Sequence, residues 1–285
     1  MELKLSQRIA LKYYRTKLKA LETVSHKIAA KSAFKLFCTP YNRKKKLIAP
    51  LLFQEANKIS FTLDGIKING YEWNNTSINK ILILHGFDSS SYKFEKYVRE
   101  FLKLNYHVVV FDAPAHGISE GKNINALLYS RCIIKANELF GNFSAYIAHS
   151  LGGLALSLAL EKISNTNIKA ALIAPATETS TAIEHYLKFI PLKPKTVNEF
   201  HQLIFNLSGN PISWFSIPRA LKNTTAKILW VHDSEDFICP IKDVEVAIQQ
   251  KLNNVEFHIT TGLGHNKIYR ERKVISKIVE FISSP

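Results

Sequence analysis

No stretch of this 285-residue sequence approaches the roughly 20 consecutive apolar residues that a membrane-spanning helix needs. Cysteine is also sparse: Cys38, Cys132 and Cys239 lie far apart and fall into no metal-ligand or redox spacing. So small and odd a number argues against a disulfide framework and for a reducing compartment, the cytoplasm by default. Lys or Arg interrupts the N-terminus every few residues, so the apolar segment of a secretory leader does not form. No internal repeat or low-complexity tract is visible. Gly121-Lys122 lacks the glycine-rich spacing of a phosphate loop. No nucleic-acid-binding module or aromatic platform accompanies the basic residues, so nucleic acid is not an expected partner.

What the chain does have is a composition ordinary for a globular protein, 46% apolar and 21% charged, with a net charge of +15. That charge is unevenly spread. Residues 1–50 hold 13 Lys and Arg against Glu2 and Glu22, whereas the other 235 residues carry 25 basic and 21 acidic side chains. From Leu3 to about Phe37 the apolar residues Leu11, Tyr14, Leu18, Leu21, Val24 and Ile28 recur at three- and four-residue steps, which predicts a helix. Thr39-Pro40 stops it, and Arg43-Lys44-Lys45-Lys46 follows as an exposed cationic run. Residues 1–57 read as a basic helical extension. It is expected to pack on the core with its charges solvated, or to let residues 1–46 touch an anionic membrane peripherally.

Beyond it, 58–285 reads as one α/β domain of a size that buries a full core. Lys58–Asn74 predicts two strands joined at Asp64-Gly65, a hairpin signal. Ile81–Leu84, His107–Phe111, Ser144–Ala148, Lys169–Ala174, Ala226–Val231 and Val255–Thr260 predict strands alternating with helices. Continuous apolar runs such as Ile81-Leu82-Ile83-Leu84 suit strands buried on both faces of a mainly parallel sheet. Between Pro175 and Ala226 no strand is expected. Prolines divide this stretch into short helical pieces rich in aromatics, among them Tyr186, Phe200 and Trp214.

Ser144–Ala148 is short and β-prone, and Leu154–Leu160 is rich in helix formers, so His149-Ser150-Leu151 sits at an abrupt strand-to-helix junction. Such a turn strains its central residue and demands small neighbours two positions either side, here Ala148 and Gly152. The helix start aims its free N–H groups at the serine. This small-x-Ser-x-Gly pattern resembles the nucleophile elbow of the α/β-hydrolase family, with Ala148 in place of the commoner glycine.

A serine nucleophile needs a base, and the base needs an orienting carboxylate, both on loops at the same end of the sheet. Trp230-Val231-His232-Asp233-Ser234-Glu235-Asp236 follows one late strand, and Gly262-Leu263-Gly264-His265 follows the last. The order Ser, Asp, His is that of the α/β hydrolases. By resemblance Ser150 is the nucleophile, His265 the base and Asp236 the acid, with Asp233 and Glu235 as rivals for the acid. Asp233 is expected to hydrogen-bond its loop, and His149 to be a packing residue. The family's oxyanion hole maps to the backbone N–H groups of Leu151 and of Phe87, in His85-Gly86-Phe87, with Asp88-Ser89 departing from the usual glycine there. Asp112–Ser119 maps to a structural turn.

The resemblance covers about 58–285. It implies an α/β fold with a mainly parallel central sheet, helices on both faces, and a small helical cap at about 176–225. The cap is expected to roof a substrate pocket lined by Phe87, Tyr186 and Trp214. The implied activity is cleavage of a carboxylic ester or thioester with an apolar acyl group, in the esterase, lipase and thioesterase-like branch, with neither cofactor nor metal. Acyl transfer, carbon–carbon hydrolysis on the same triad, and a non-catalytic ligand-binding module are the alternatives.

Overall fold

The computed structural model describes residues 5–41, 48–164 and 167–284. The cationic run Arg43–Lys46 lies outside them. An eight-stranded sheet has the order β1-β2-β4-β3-β5-β6-β7-β8. Its strands are β1 (Asn57–Leu63), β2 (Ile66–Trp73), β3 (Lys80–Leu84), β4 (His107–Phe111), β5 (Ala145–His149), β6 (Lys169–Ile173), β7 (Lys227–Asp233) and β8 (Val255–Thr260). β1 and β2 form the expected hairpin, with Leu63 opposite Ile66. Asp64 and Gly65 between them take φ of 50° and 74°, the conformation that a tight two-residue turn requires. β2 meets β4 antiparallel, and every pair from β4 to β8 is parallel.

The central strands are apolar throughout because both faces are covered. On one face Ile81, Ile83, Val108, Val110, Ala145 and Ile147 share a core with helices Glu95–Lys103 and Arg272–Ser283. Leu82, Val109 and Tyr146, which alternate with them, are equally buried. Helix Ala126–Phe140 lies on that side, where Tyr129 meets Phe111 edge-on and the Tyr146 hydroxyl donates to Asn137 Oδ1 at 2.8 Å.

The chain divides into two compact units, one formed by Met1–Thr39 with Glu178–Phe215, the other by Pro40–Thr177 with Ser216–Pro285. This differs from the expected division at residue 57. In the first unit the N-terminal segment is two helices, α1 (Leu5–Val24) and α2 (His26–Phe37), rather than one. Ser25, extended at φ −163°, breaks them, and its side chain caps α2 by accepting from the Ile28 N–H.

The apolar face of α2 is not independent of the inserted segment, whose helices are Thr179–Phe189 and Pro194–Ser208. Buried Ala29, Ala30 and Ala33 leave room for close helix approach. Phe34 and Phe37 pack edge-on against Phe200, and Phe37 also meets Tyr186. Buried Glu22 accepts the Lys193 N–H at 2.7 Å, and His26 Nδ1 pairs with Thr196 Oγ1 at 2.8 Å. Residues 48–57 go with the second unit instead. There Phe53 packs edge-on against Tyr71, Trp73 and Tyr92, and Trp73 Nε1 donates to the Leu52 carbonyl.

Phe200→Ala is expected to cost the first unit about 3–5 kcal/mol, as for other buried aromatics. Hydrogen exchange should then show lost protection in α2 as well as in Pro194–Ser208. Loss confined to the latter would mean that the two do not share a core.

Candidate active site

Ser150 sits between β5 and helix Leu151–Leu160 with φ 54° and ψ −123°, a strained backbone for a residue with a side chain. The surroundings enforce it. A Cβ at Gly152 would lie 2.7 Å from the His85 carbonyl oxygen, and one at Gly86 would lie 2.7 Å from the Ser150 Cβ. Ala148 is fully buried. The Ser150 N–H donates to Ile173 O, and its carbonyl accepts from Gly153 and Ala176.

The three residues assigned by resemblance come together. The Ser150 hydroxyl donates to His265 Nε2 at 3.0 Å, and His265 Nδ1–H donates to Asp236 Oδ2 at 2.7 Å. This chain of bonds fixes the tautomer of the ring. The other oxygen of buried Asp236 accepts two backbone N–H groups, from Ile238 at 2.8 Å and Cys239 at 2.9 Å. Its rivals are elsewhere. Asp233 accepts from Thr260 Oγ1, Leu263 N–H and Glu235 N–H, stapling the loop as expected. Burial alone would raise its carboxyl, but these bonds outweigh it and the net shift is downward. Glu235 is exposed.

Leu151, as the first residue of its helix, has no intrahelical acceptor for its N–H. Phe87 follows Gly86 on the loop after β3, its ring partly exposed and edge-on to His116. Two buried histidines hold this loop. His85 donates from Nδ1 to the Gly86 carbonyl at 2.7 Å and accepts the Ala113 N–H at Nε2. His116 donates from Nδ1 to Pro114 O and accepts the Asp88 N–H at Nε2, 3.1 Å away. Burial lowers both to about 4, so both rings are neutral near pH 7. Asp112 holds the adjoining turn by accepting from Ser91 and Ile118.

His149 does more than pack, which its position in the sequence did not reveal. Its Nε2–H donates to the backbone carbonyl of His265 at 3.0 Å, and its ring lies against those of His265 and Tyr269. Burial holds it well below the usual histidine range, so it stays neutral. Only the fold reveals this partner, 116 residues away. Tyr186 and Trp214 belong to the first unit. There the Tyr186 hydroxyl donates to Ala33 O and its ring meets Phe37 and Phe200, while Trp214 is edge-on to Phe215. These contacts are packing within that unit.

Among the described residues one group has metal-ligand spacing: Asp236, Cys239 and His265, with ligand atoms within 4.8 Å of one another. Asp236 and His265 already bond each other there, and burial keeps the Cys239 thiol protonated. The donor set therefore serves proton transfer better than a cation.

A mainly parallel sheet with a serine on a strained strand-to-helix turn, hydrogen-bonded through histidine to aspartate, is the architecture of the α/β-hydrolase fold. Residues 76–209 match the family model Hydrolase_4, described as serine aminopeptidase, S33. The uncharacterized hydrolase YugF of Bacillus subtilis (strain 168) is 30% identical over 107 residues, 36% of this chain and 39% of that protein. The match thus spans about two-fifths of the relative's length. An esterase of Pyrococcus furiosus, Pf2001, superposes with a TM-score of 0.65 at 18% identity, over 86% of this chain and 96% of its own. Est1E from Butyrivibrio proteoclasticus, with ferulic acid bound, does so at 0.62 and 21%, over 79% and 97%. At these identities the structures attest the fold alone.

The neutral histidines make the fold acid-sensitive. Because His85 and His116 have folded pKa values below the unfolded 6.5, at about 4, their contribution is complete above pH 6.5. It is lost as pH falls from about 6.5 to about 4, the window in which the unfolded chain binds the extra protons. Urea unfolding across that range should show falling stability, and His116→Gln should make the decline shallower. An unchanged slope would remove His116 from the account.

Proposed function

We propose that the chain is a serine hydrolase that cleaves a carboxylic ester or thioester through an acyl-enzyme on Ser150. The observation that carries this is the continuous hydrogen-bonded line from the Ser150 hydroxyl through His265 to Asp236. A serine hydroxyl is a weak nucleophile until a base takes its proton during attack. In this reading Ser150 Oγ bonds to the substrate carbonyl carbon as its proton passes to His265 Nε2. The carbonyl oxygen becomes an oxyanion, stabilised by the N–H groups of Leu151 and Phe87.

Collapse of the tetrahedral species breaks the bond to the alkoxide or thiolate, which leaves with the proton held by His265. Water then gives a proton to the same nitrogen, attacks the acyl carbon and releases the acid, restoring Ser150. Asp236 stabilises the imidazolium and holds the tautomer, supported by the N–H groups of Ile238 and Cys239. Each turnover consumes one ester or thioester and one water, and releases the acid and the alcohol or thiol. An apolar acyl group is the substrate part we assign, supported by the partly exposed Phe87 on the loop beside the elbow. A second part of the reading is peripheral contact of residues 1–46 with an anionic membrane, supported by their surplus of Lys and Arg.

Labelling with a fluorophosphonate tests the nucleophile. Wild type should label and Ser150→Ala should not, while equal labelling of both would end the proposal. Asp236→Asn should keep the fold and lower kcat by about 10⁴-fold, the order seen when a triad aspartate loses control of the tautomer. Steady-state hydrolysis of p-nitrophenyl esters of rising chain length reads this loss and also sizes the acyl site. Amino-acid p-nitroanilides, run beside them, separate ester from aminopeptidase chemistry.

A further inference from the structure

Helix α1 has two apolar faces, and only one is used in the first unit. Leu18 and Glu22 are buried on it, with Leu11 and Leu21 half-buried. On the opposite side Leu5, Ile9 and Tyr13, spaced four apart, form a stripe that is 73%, 61% and 58% exposed. Val24, three turns beyond Tyr13, continues it at 75%. Exposed Arg8, Lys12 and Lys19 flank one edge of this stripe, and exposed Lys17 the other. The only acid in α1 and α2 is Glu22, which is buried and takes the Lys193 N–H, so nothing acidic on either helix offsets these cations.

An apolar stripe between rows of long cationic side chains is not needed for the packing of α1. We propose that the face of α1 carrying Leu5, Ile9, Tyr13 and Val24 is a docking surface for a bilayer rich in anionic phospholipid. The helix, about 30 Å long, would lie in the plane of the interface. Its apolar side chains enter the boundary between headgroups and acyl chains, Tyr13 sits at headgroup level, and the Lys and Arg heads stay with the phosphates. None of the described helices is long and apolar enough to span the membrane instead. Charge selects the occupant. Two copies meeting through this stripe would bring Arg8, Lys12 and Lys19 against their like, whereas a phosphodiester surface complements them. This inference rests on the membrane part of the reading above and is independent of the ester chemistry.

Deleting residues 1–46 is a poor test, because it removes the aromatic and alanine face of α2 from the core of the first unit. The full chain should instead be floated with vesicles of phosphatidylcholine alone, or of equal parts phosphatidylcholine and phosphatidylglycerol. Recovery is expected with the anionic vesicles only, and should fall as salt is raised. Ile9→Ser/Tyr13→Ser should lower the partition coefficient at least tenfold, and Lys12→Gln/Lys19→Gln about tenfold or more. Both variants should hydrolyse a soluble p-nitrophenyl ester like wild type, which shows that they are folded. Wild type that floats with neither vesicle overturns both the docking face and the membrane contact of residues 1–46. Flotation of Ile9→Ser/Tyr13→Ser equal to wild type overturns the docking face alone. A dimer that the same variant dissolves, with no vesicle binding, assigns the stripe to a second copy and overturns the lipid. Retention on RNA without flotation overturns it likewise.

Discussion

The backbone of one residue governs the second unit. At Ser150 the chain turns from β5 into a helix with φ 54°, a conformation that L-residues avoid and that persists only where the surroundings hold it. They do so from three directions: the Gly86 backbone lies against the Ser150 Cβ, Gly152 lies against the His85 carbonyl, and β6 accepts the Ser150 N–H through Ile173. The strain stands the hydroxyl clear of the sheet and sets the helix N-terminus directly behind it. Any larger side chain at 86 or 152 would have to move backbone, not merely a rotamer.

Around that turn the polar groups are fixed by neutral histidines rather than by ion pairs. His85 and His116 each use one nitrogen as donor and the other as acceptor, so each ring closes two backbone bonds at once. A charged ring has no acceptor nitrogen and could not serve. His149 uses a single nitrogen, its Nε2–H donating to the carbonyl of His265, while its buried Nδ1 has no hydrogen-bond partner. Burial supplies the neutrality, because the low dielectric penalises the protonated form. The same burial that orders the loops near Ser150 therefore ties their order to pH.

The first unit has a different logic. Its core is aromatic and alanine-rich, and it draws on two stretches more than a hundred residues apart in the chain. Phe34 and Phe37 come from one stretch, Tyr186 and Phe200 from the other. Each stretch supplies aromatic rings that the other covers. Joined, they leave the far face of α1 with apolar side chains that this core does not bury.

Sequence alone was enough for the alternation of strand and helix, the parallel sheet, the hairpin at Asp64-Gly65, and the elbow. Each is written in local pattern: period, turn residues, and small residues beside a serine. The resemblance also picked out Asp236 over Asp233 and Glu235, and the structure puts only Asp236 against His265. Other features needed the tertiary structure. The helix expected from Leu3 to Phe37 breaks at Ser25, because periodicity runs across a cap whose side-chain bond is a matter of geometry. The partition of residues 1–57, the packing role of Tyr186 and the grip of His149 on His265 depend on contacts between residues distant in the chain. Local sequence sets which conformations are cheap, while only the closed fold decides which distant groups share the space left between them.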